Sequence, residues 1–421
     1  MLTDMEGRLR AAMESAVGSE QPPRNLAELV RRRHRRHVRR AAVAGAASAA
    51  VVAALIPAAA GVLGRGPGPA GGHRPPASTV YVALRDKLAS MLVPISAATN
   101  RPGKPIRLGG SWAQHGGSLA VTPDGKTLYV SAPAETTPIS TATNKPGKPI
   151  RVNGGHFAID PDGKTAYAAG PVGSAVGLVR GTFTPVNLAT NTPGKPIRLC
   201  SNPGAIAFTP DGKTAYVTCP YTRPSTVIPV NTATNTPGRP IPVGRRARAI
   251  AVTPDGKTVY VLGLDTVTPI STATNKPGQP IRLGSNSNAL IAITPDGKTV
   301  YVGATGRVVP ISTATNTPGQ PIRIGAGVPA EEIVFTPDGK TAYVANGEGP
   351  TGRVIPISTA TGTPGKPIFI GVGTAMAITP HGKTVYAAAL NKVVPISTAT
   401  NTPGQPIRLP DGLPTWIVTT P

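Results

Sequence analysis

The chain is poor in most of what a catalytic centre is built from. It has two cysteines, six histidines and 19 acidic residues in 421. It contains no G-x-S-x-G elbow, no H-E-x-x-H pair and no G-x-x-x-x-G-K-S/T loop, so the usual signatures of esterases, zinc peptidases and nucleotide hydrolases are missing. No stretch beyond residue 79 repeats its apolar residues every 3.6 positions, which excludes a helical domain there. Aromatics make up only 4 % of the chain, yet eight of the nine tyrosines recur in one short motif.

Glycine and proline, 49 of each, are abundant. They fall at fixed places in a repeat and so read as turn formers rather than as disorder. Ala, Val, Ile and Thr carry most of the remaining mass, which suits many short strands. The net charge of +24 is divided unevenly. Residues 1–64 hold ten arginines against five acids, and the rest of the chain carries +19. An excess of that size attracts anionic surfaces, although turn lysines that keep a repetitive protein in solution account for much of it.

The N-terminal region sets the expected compartment. Residues 41–63 bear no charge and as a helix would span ~34 Å, enough to cross a bilayer core. Just before them, residues 31–40 include seven arginines, against only Arg65 and Arg74 soon after the span, which places the N-terminus inside. The reading is a basic cytoplasmic segment over 1–40, a transmembrane helix over 41–63, a Gly/Pro-rich tether over 64–78 and an extracytoplasmic domain over 79–421. Thr3 with Glu6, and Asn25 with Glu28, are spaced as capping boxes of short amphipathic helices in the first segment. Ala58-Ala59-Ala60 resembles a signal-peptidase site, but a leader of some forty residues before the apolar stretch favours a retained anchor.

Two motifs alternate from residue 79. Thr-Pro-Asp-Gly-Lys-Thr, followed by an apolar residue and Tyr, stands at 122–129, 209–216, 253–260, 294–301 and 336–343. Variants at 160–167 and 379–386 carry Asp160 and His381. Pro-Ile-Ser-Thr-Ala-Thr-Asn-x-Pro-Gly-x-Pro-Ile-Arg and its variants begin eight times between Pro94 and Pro395, spaced by 39 to 47 residues. Four-stranded units at that period are the mark of propeller blades. In each unit Pro-Asp-Gly turns the chain between the first two strands, and Pro-Gly, read as a type II turn, does so between the last two. Eight tyrosine-bearing second strands and a lone first-strand segment at 414–419 predict an all-β propeller of eight four-stranded antiparallel blades, with the last blade closed by the C-terminal strand. Seven blades with frayed ends is the alternative.

Thr-Pro-Asp-Gly-Lys-Thr-x-Tyr-Val, with endings such as Tyr216-Val217-Thr218-Cys219 and Tyr343-Val344-Ala345-Asn346, resembles the YVTN-type (YncE-like) β-propeller repeat of bacterial secreted and surface proteins. The resemblance covers about residues 79–420. It implies a propeller outside the cytoplasm and a scaffold for binding or adhesion, with lactonases and lyases among related propellers. Fold alone does not decide between them.

In such blades the first-to-second and third-to-fourth turns share one face. Here that face is uniform and carries a lysine in every Asp-Gly-Lys turn, a potential basic ring. The other face varies, and a site that discriminates among partners belongs on it. Its candidate ligand-binding residues are Trp112, His115, His156, Tyr221, Arg223, Arg245, Arg246, Arg248, Glu331 and Glu332, with aromatic and Arg side chains the usual anchors of interfaces. The expected function is a binding module for a protein, a glycan or an anionic envelope polymer. Nucleic acid is disfavoured as a partner, and the membrane is engaged only through 41–63. The alternative is a lyase or lactonase at the mouth of the central channel, with His115, His156, Glu331 and Glu332 as weak acid–base candidates. No cofactor is indicated. His115 and His156 lack a third ligand at a supporting spacing, so no metal is indicated either. Cys200 and Cys219 end strands that reach the same rim, and an extracytoplasmic setting permits a disulfide between them.

Overall fold

The computed structural model describes residues 78–85, 90–108, 117–172, 180–283, 287–325, 329–347, 352–373 and 375–421, all within the compact unit Gly45–Pro421. The basic segment, the proposed transmembrane helix and the tether up to residue 77 lie outside them. Among the described residues every regular element is a strand, and the strands form eight antiparallel sheets.

Each sheet is one blade. Blade 1 joins Leu413–Thr419 to Thr79–Arg85, Ser90–Ser96 and Ile106–Leu108. The inner strands of blades 2 to 8 are Ser118–Val121, His156–Ile159, Ile206–Phe208, Ala249–Val252, Ser287–Ile293, Glu332–Phe335 and Met376–Ile378. Each inner strand touches the next, and Leu413–Thr419 touches both Met376–Ile378 and Ser118–Val121, so the ring closes. The seam is the antiparallel pair of Leu413–Thr419 with Thr79–Arg85, running from Val80 opposite Thr419 to Arg85 opposite Leu413. The eight-blade reading therefore holds, and the frayed seven-blade alternative does not.

The sequence of a second strand follows from its place. It lies between two strands of its own sheet while each sheet face packs on a neighbouring blade, so the side chains after its half-buried opening threonine are shut off from water. Val259, Tyr260, Val261 and Leu262 are all fully buried, which explains the continuous apolar run where a half-exposed strand would alternate. The core is accordingly not one mass but a set of layers between blades. Ala249, Tyr260 and Leu262 of blade 5 pack with Ile291, Val300 and Ile311 of blade 6, and the same arrangement recurs around the ring. Each Val, Leu or Ile fully buried there contributes about 1.5–3 kcal/mol.

One turn assignment needs correction. The glycines of the Pro-Gly pairs, Gly278 among them, are not in the left-handed region, whereas Asn275 just before is, at φ 53°. The turn is therefore made by Ser-Thr-Ala-Thr-Asn, closed by the Asn275 amide donating to the Ser271 carbonyl at 2.8 Å. Gly278 serves a different end. A Cβ there would stand 3.2 Å from Pro269 Cγ on the adjacent strand, to whose carbonyl the Gly278 amide donates at 2.8 Å. Pro-Gly thus continues the ladder at a close approach, and asparagine supplies the reversal because its short polar side chain tolerates that backbone region.

That asparagine also joins the blades. The hydroxyl of Tyr81 donates to Asn144 Oδ1, Tyr129 to Asn191, Tyr167 to Asn235, Tyr216 to Asn275, Tyr260 to Asn316, Tyr343 to Asn401 and Tyr386 to Asn100, at 2.6–2.9 Å. Each bond runs from one blade to the next, and the last crosses the seam from blade 8 to blade 1.

Candidate functional site

The uniform face satisfies itself. In blade 2 the Thr122 hydroxyl donates to Asp124 Oδ1 at 2.6 Å, the Lys126 amide donates to the same oxygen at 3.1 Å, and Lys126 Nζ lies 3.4 Å from Asp124 Oδ2. Blades 4 to 7 repeat the set, with Lys–Asp separations of 3.6–3.9 Å. The Thr hydroxyl bond is the main reason that Asp124, Asp211, Asp255 and Asp338 sit below the usual carboxylate range. Exposed pairs of this kind add little stability, but each lysine carries its own counter-charge. The potential basic ring is thus neutralised turn by turn, save at Lys383, where His381 replaces the aspartate.

Blade 3 makes the same turn by another route. Asp160 stands where the others have Thr. Burial first, and then the hydrogen bond and charge of Asp162, push its carboxyl up to about 7, while Asp162 is lowered by its bond with Asp160. A protonated Asp160 donates to Asp162 as the threonine hydroxyl does elsewhere.

On the variable face, two neighbouring loops carry five of the expected residues and bring three of them, Tyr221, Arg246 and Arg248, together. The loop after Thr214–Cys219 in blade 4 carries Tyr221 and Arg223. It is held by Thr222 Oγ1 donating to the Cys219 carbonyl and Ser225 Oγ donating to that of Pro220, both at 2.9 Å. The Ser225 amide donates to the Gly244 carbonyl at 2.7 Å, which ties this loop to the chain entering blade 5. There the Leu264 amide donates to the Arg245 carbonyl at 2.9 Å, the Arg248 amide donates to that of Leu262 at 2.8 Å, and Arg246 takes a left-handed backbone at φ 53°.

Tyr221 is 69 % exposed, the most exposed large apolar side chain described. Arg223, Arg245 and Arg246 are exposed and Arg248 is half-buried. Burial, and then the charge of Arg246, depress the Arg248 guanidinium, while Tyr221 acts in the opposite sense. Among the described residues the ion pairs are those of the Lys–Asp turns, and none involves these arginines. A half-buried cation beside a second cation, with no acid paired to it, is electrostatically complementary to an anionic group.

The disulfide between Cys200 and Cys219, with Cα atoms 6.1 Å apart, fixes the outer strand of blade 3 to the root of the Tyr221 loop. The exposed Arg107, Arg151, Arg198, Arg282, Arg323 and Arg408 on the outer strands add positive charge around the rim.

The acid–base candidates are not brought together. His156 opens the inner strand of blade 3 and Glu332 that of blade 7, four blades apart in a ring of eight and hence on opposite sides. Burial lowers His156 to about 4, leaving it neutral. Burial, partly opposed by a hydrogen bond and reinforced by Glu331, pushes Glu332 up to about 8. Glu332 Oε2 accepts from the Met376 amide of blade 8 at 2.6 Å, and Ser118 Oγ accepts from the Phe157 amide in the same way between blades 2 and 3, at 3.1 Å. Glu332 therefore links two inner strands, a role that sequence spacing did not reveal. The Glu331 amide donates to Ala345 within blade 7. Trp112 and His115 lie outside the described residues, among which no group of three or more His, Cys, Asp or Glu could hold a metal.

No family model matches the chain, and no curated protein does. Solved structures share the fold at low identity. Hydrazine synthase from Kuenenia stuttgartiensis is 21 % identical, with a TM-score of 0.53 over 67 % of this chain and 95 % of that one. The dihydro-heme d1 dehydrogenase NirN, in complex with DHE, is 11 % identical, with a TM-score of 0.64 over 79 % of this chain and 73 % of that one. AztD from Citrobacter koseri is 12 % identical, with a TM-score of 0.56 over 82 % of this chain and 97 % of that one. At these identities the likeness is one of fold.

Proposed function

We propose that the chain is a YVTN-type propeller, anchored by residues 41–63 and displayed outside the cytoplasm, that binds an anionic envelope polymer or an acidic protein or glycan through its variable face. One observation carries the reading. Tyr221, Arg246 and Arg248 converge from adjacent blades on well-tied loops without a paired acid, while the Asp-Gly-Lys turns of the opposite face carry their own counter-charges. Preorganised loops reduce the ordering cost of binding, and an exposed tyrosine among arginines is the composition of an interface anchor. The lyase or lactonase reading requires an imidazole and a carboxylate within hydrogen-bond reach of one substrate. His156 and Glu332 stand across the ring from each other, which favours binding.

The test is capture of envelope extracts by the 65–421 fragment at low and high salt, beside the Arg246→Ala/Arg248→Ala variant. Capture that persists at moderate salt and falls about tenfold or more in the variant supports a shaped site on this face. Capture that salt abolishes and the variant leaves unchanged assigns the binding to the rim arginines and overturns the proposal. Protease protection placing residue 100 in the cytosol would overturn the anchored topology.

A further inference from the structure

The tyrosine–asparagine bonds between blades occur at seven junctions of eight. At the eighth, between blades 6 and 7, the turn that elsewhere ends in asparagine reads Ser358-Thr359-Ala360-Thr361-Gly362. Gly362 keeps the left-handed backbone of its counterparts, at φ 67°, but has no side chain to accept from Tyr301. The Tyr301 ring is buried to 1 % exposure like the other seven, and its hydroxyl has no hydrogen-bond partner among the described residues.

The missing side chain leaves the Tyr301 phenol open to a cleft. A cleft of about 450 Å³ lies at this junction, with Tyr301, Thr299, Gln320, Arg323, Thr361 and Gly362 in its wall. The preceding junction has a cleft of similar size, but Asn316 lines it and no tyrosine does. Of these two clefts, the one with glycine in place of asparagine is the one that reaches the phenol. A Cβ built on Gly362 would have Ile322 Cδ1 at 3.6 Å as its nearest neighbour, an ordinary contact, so a side chain can begin there without a clash.

We infer that the blade 6–blade 7 cleft is a binding site for an amide-bearing ligand, a primary carboxamide or an acetamido group, whose carbonyl oxygen accepts from Tyr301 where Asn Oδ1 accepts at the other junctions. The seven occupied junctions are the template, since each already holds a carboxamide against a buried tyrosine. Burial, with a smaller contribution from Asp296, raises the Tyr301 hydroxyl above its usual range, so it remains a donor at neutral pH. Proline rings of Pro310, Pro321 and Pro364 supply apolar wall beyond the amide position, against which a sugar ring or a peptide unit can pack. The volume falls in the range of small-molecule sites, about 300–1,000 Å³. The inference is independent of the arginine cluster on the variable face.

Saturation-transfer NMR on the full-length protein tests it, with acetamide and N-acetylglucosamine as probes and glucosamine as the control without an amide. The expected result is saturable transfer to both amide probes and none to glucosamine. Transfer falls about tenfold in Gly362→Asn, which restores the side chain found elsewhere, and in Tyr301→Phe, which removes the donor. Unchanged melting curves, or raised ones for Gly362→Asn, show that loss of binding is not loss of fold. Transfer absent from the wild type, equal in wild type and Gly362→Asn, or equal for glucosamine would overturn the inference.

Discussion

Restoring the absent bond between blades should stabilise the ring by a calculable amount. In Gly362→Asn the new side chain enters a backbone at φ 67°, while its counterparts sit at 53–57°, so the turn need move little. Completing one buried hydrogen bond to Tyr301 is worth about 1 kcal/mol. Removing the freedom of a glycine in the unfolded chain adds about 0.5 kcal/mol, and immobilising the asparagine side chain returns a similar amount. The net expectation is about 1 kcal/mol, a rise in Tm of about 2 °C for a domain of this size. Urea unfolding of four proteins measures it: wild type, Gly362→Asn, Tyr301→Phe and the double variant. Tyr301→Phe alone should cost almost nothing, since its hydroxyl bonds to no atom of the described residues. Tyr260→Phe should cost about 1 kcal/mol or more, because it leaves Asn316 Oδ1 without its donor. The coupling between positions 301 and 362 should be about 1 kcal/mol. If Gly362→Asn stabilises equally with and without the Tyr301 hydroxyl, the gain belongs to the turn alone and the role assigned to the bond is wrong.

Two further expectations follow from particular residues. Asp160→Thr should remove a pH dependence: the raised Asp160 pKa of about 7 means that the folded state holds a proton the unfolded chain releases near pH 4, so stability falls as pH rises from about 4 to about 7. Melting temperatures of the variant should be flatter than wild type over that window, and parallel curves would refute the shared proton. Cys200→Ala/Cys219→Ala should cost about 3 kcal/mol, from the chain entropy of a loop of about twenty residues, read as a lower urea midpoint. A midpoint unchanged from the oxidised wild type would show that the backbone bonds of this corner suffice without the link.

Much of the fold is legible in the sequence because each blade is specified by local signals. Pro-Asp-Gly marks a turn, Val-Tyr-Val marks a strand buried on both faces, and their spacing counts the blades. The Pro-Gly pair was misread because the short-range rule for a type II turn is blind to Pro269 on the neighbouring strand, which is what demands glycine at 278. Bonds such as Tyr260 to Asn316, 56 residues apart, were invisible for a related reason: nothing local to either residue says that they meet. The clue was nonetheless present in the eight tyrosines and in the single turn ending in glycine at 362. At the candidate site, residue types on the variable face could be named from sequence. Whether Arg248 meets Tyr221, or His156 meets Glu332, depends on which blades are adjacent, and that requires the closed ring.

The seam of blade 1 bears on how the molecule is completed. Thr79–Arg85 comes first among the described strands, and its partner Leu413–Thr419 comes last, so seven whole sheets lie between the two halves of one blade. A chain interrupted between Arg408 and Leu413 can assemble all seven and still offer Thr79–Arg85 a free edge where its final neighbour belongs. Leu413–Thr419 thus works as a latch that only a chain made through Thr419 can engage, and an unlatched molecule carries an open β edge ready to recruit another.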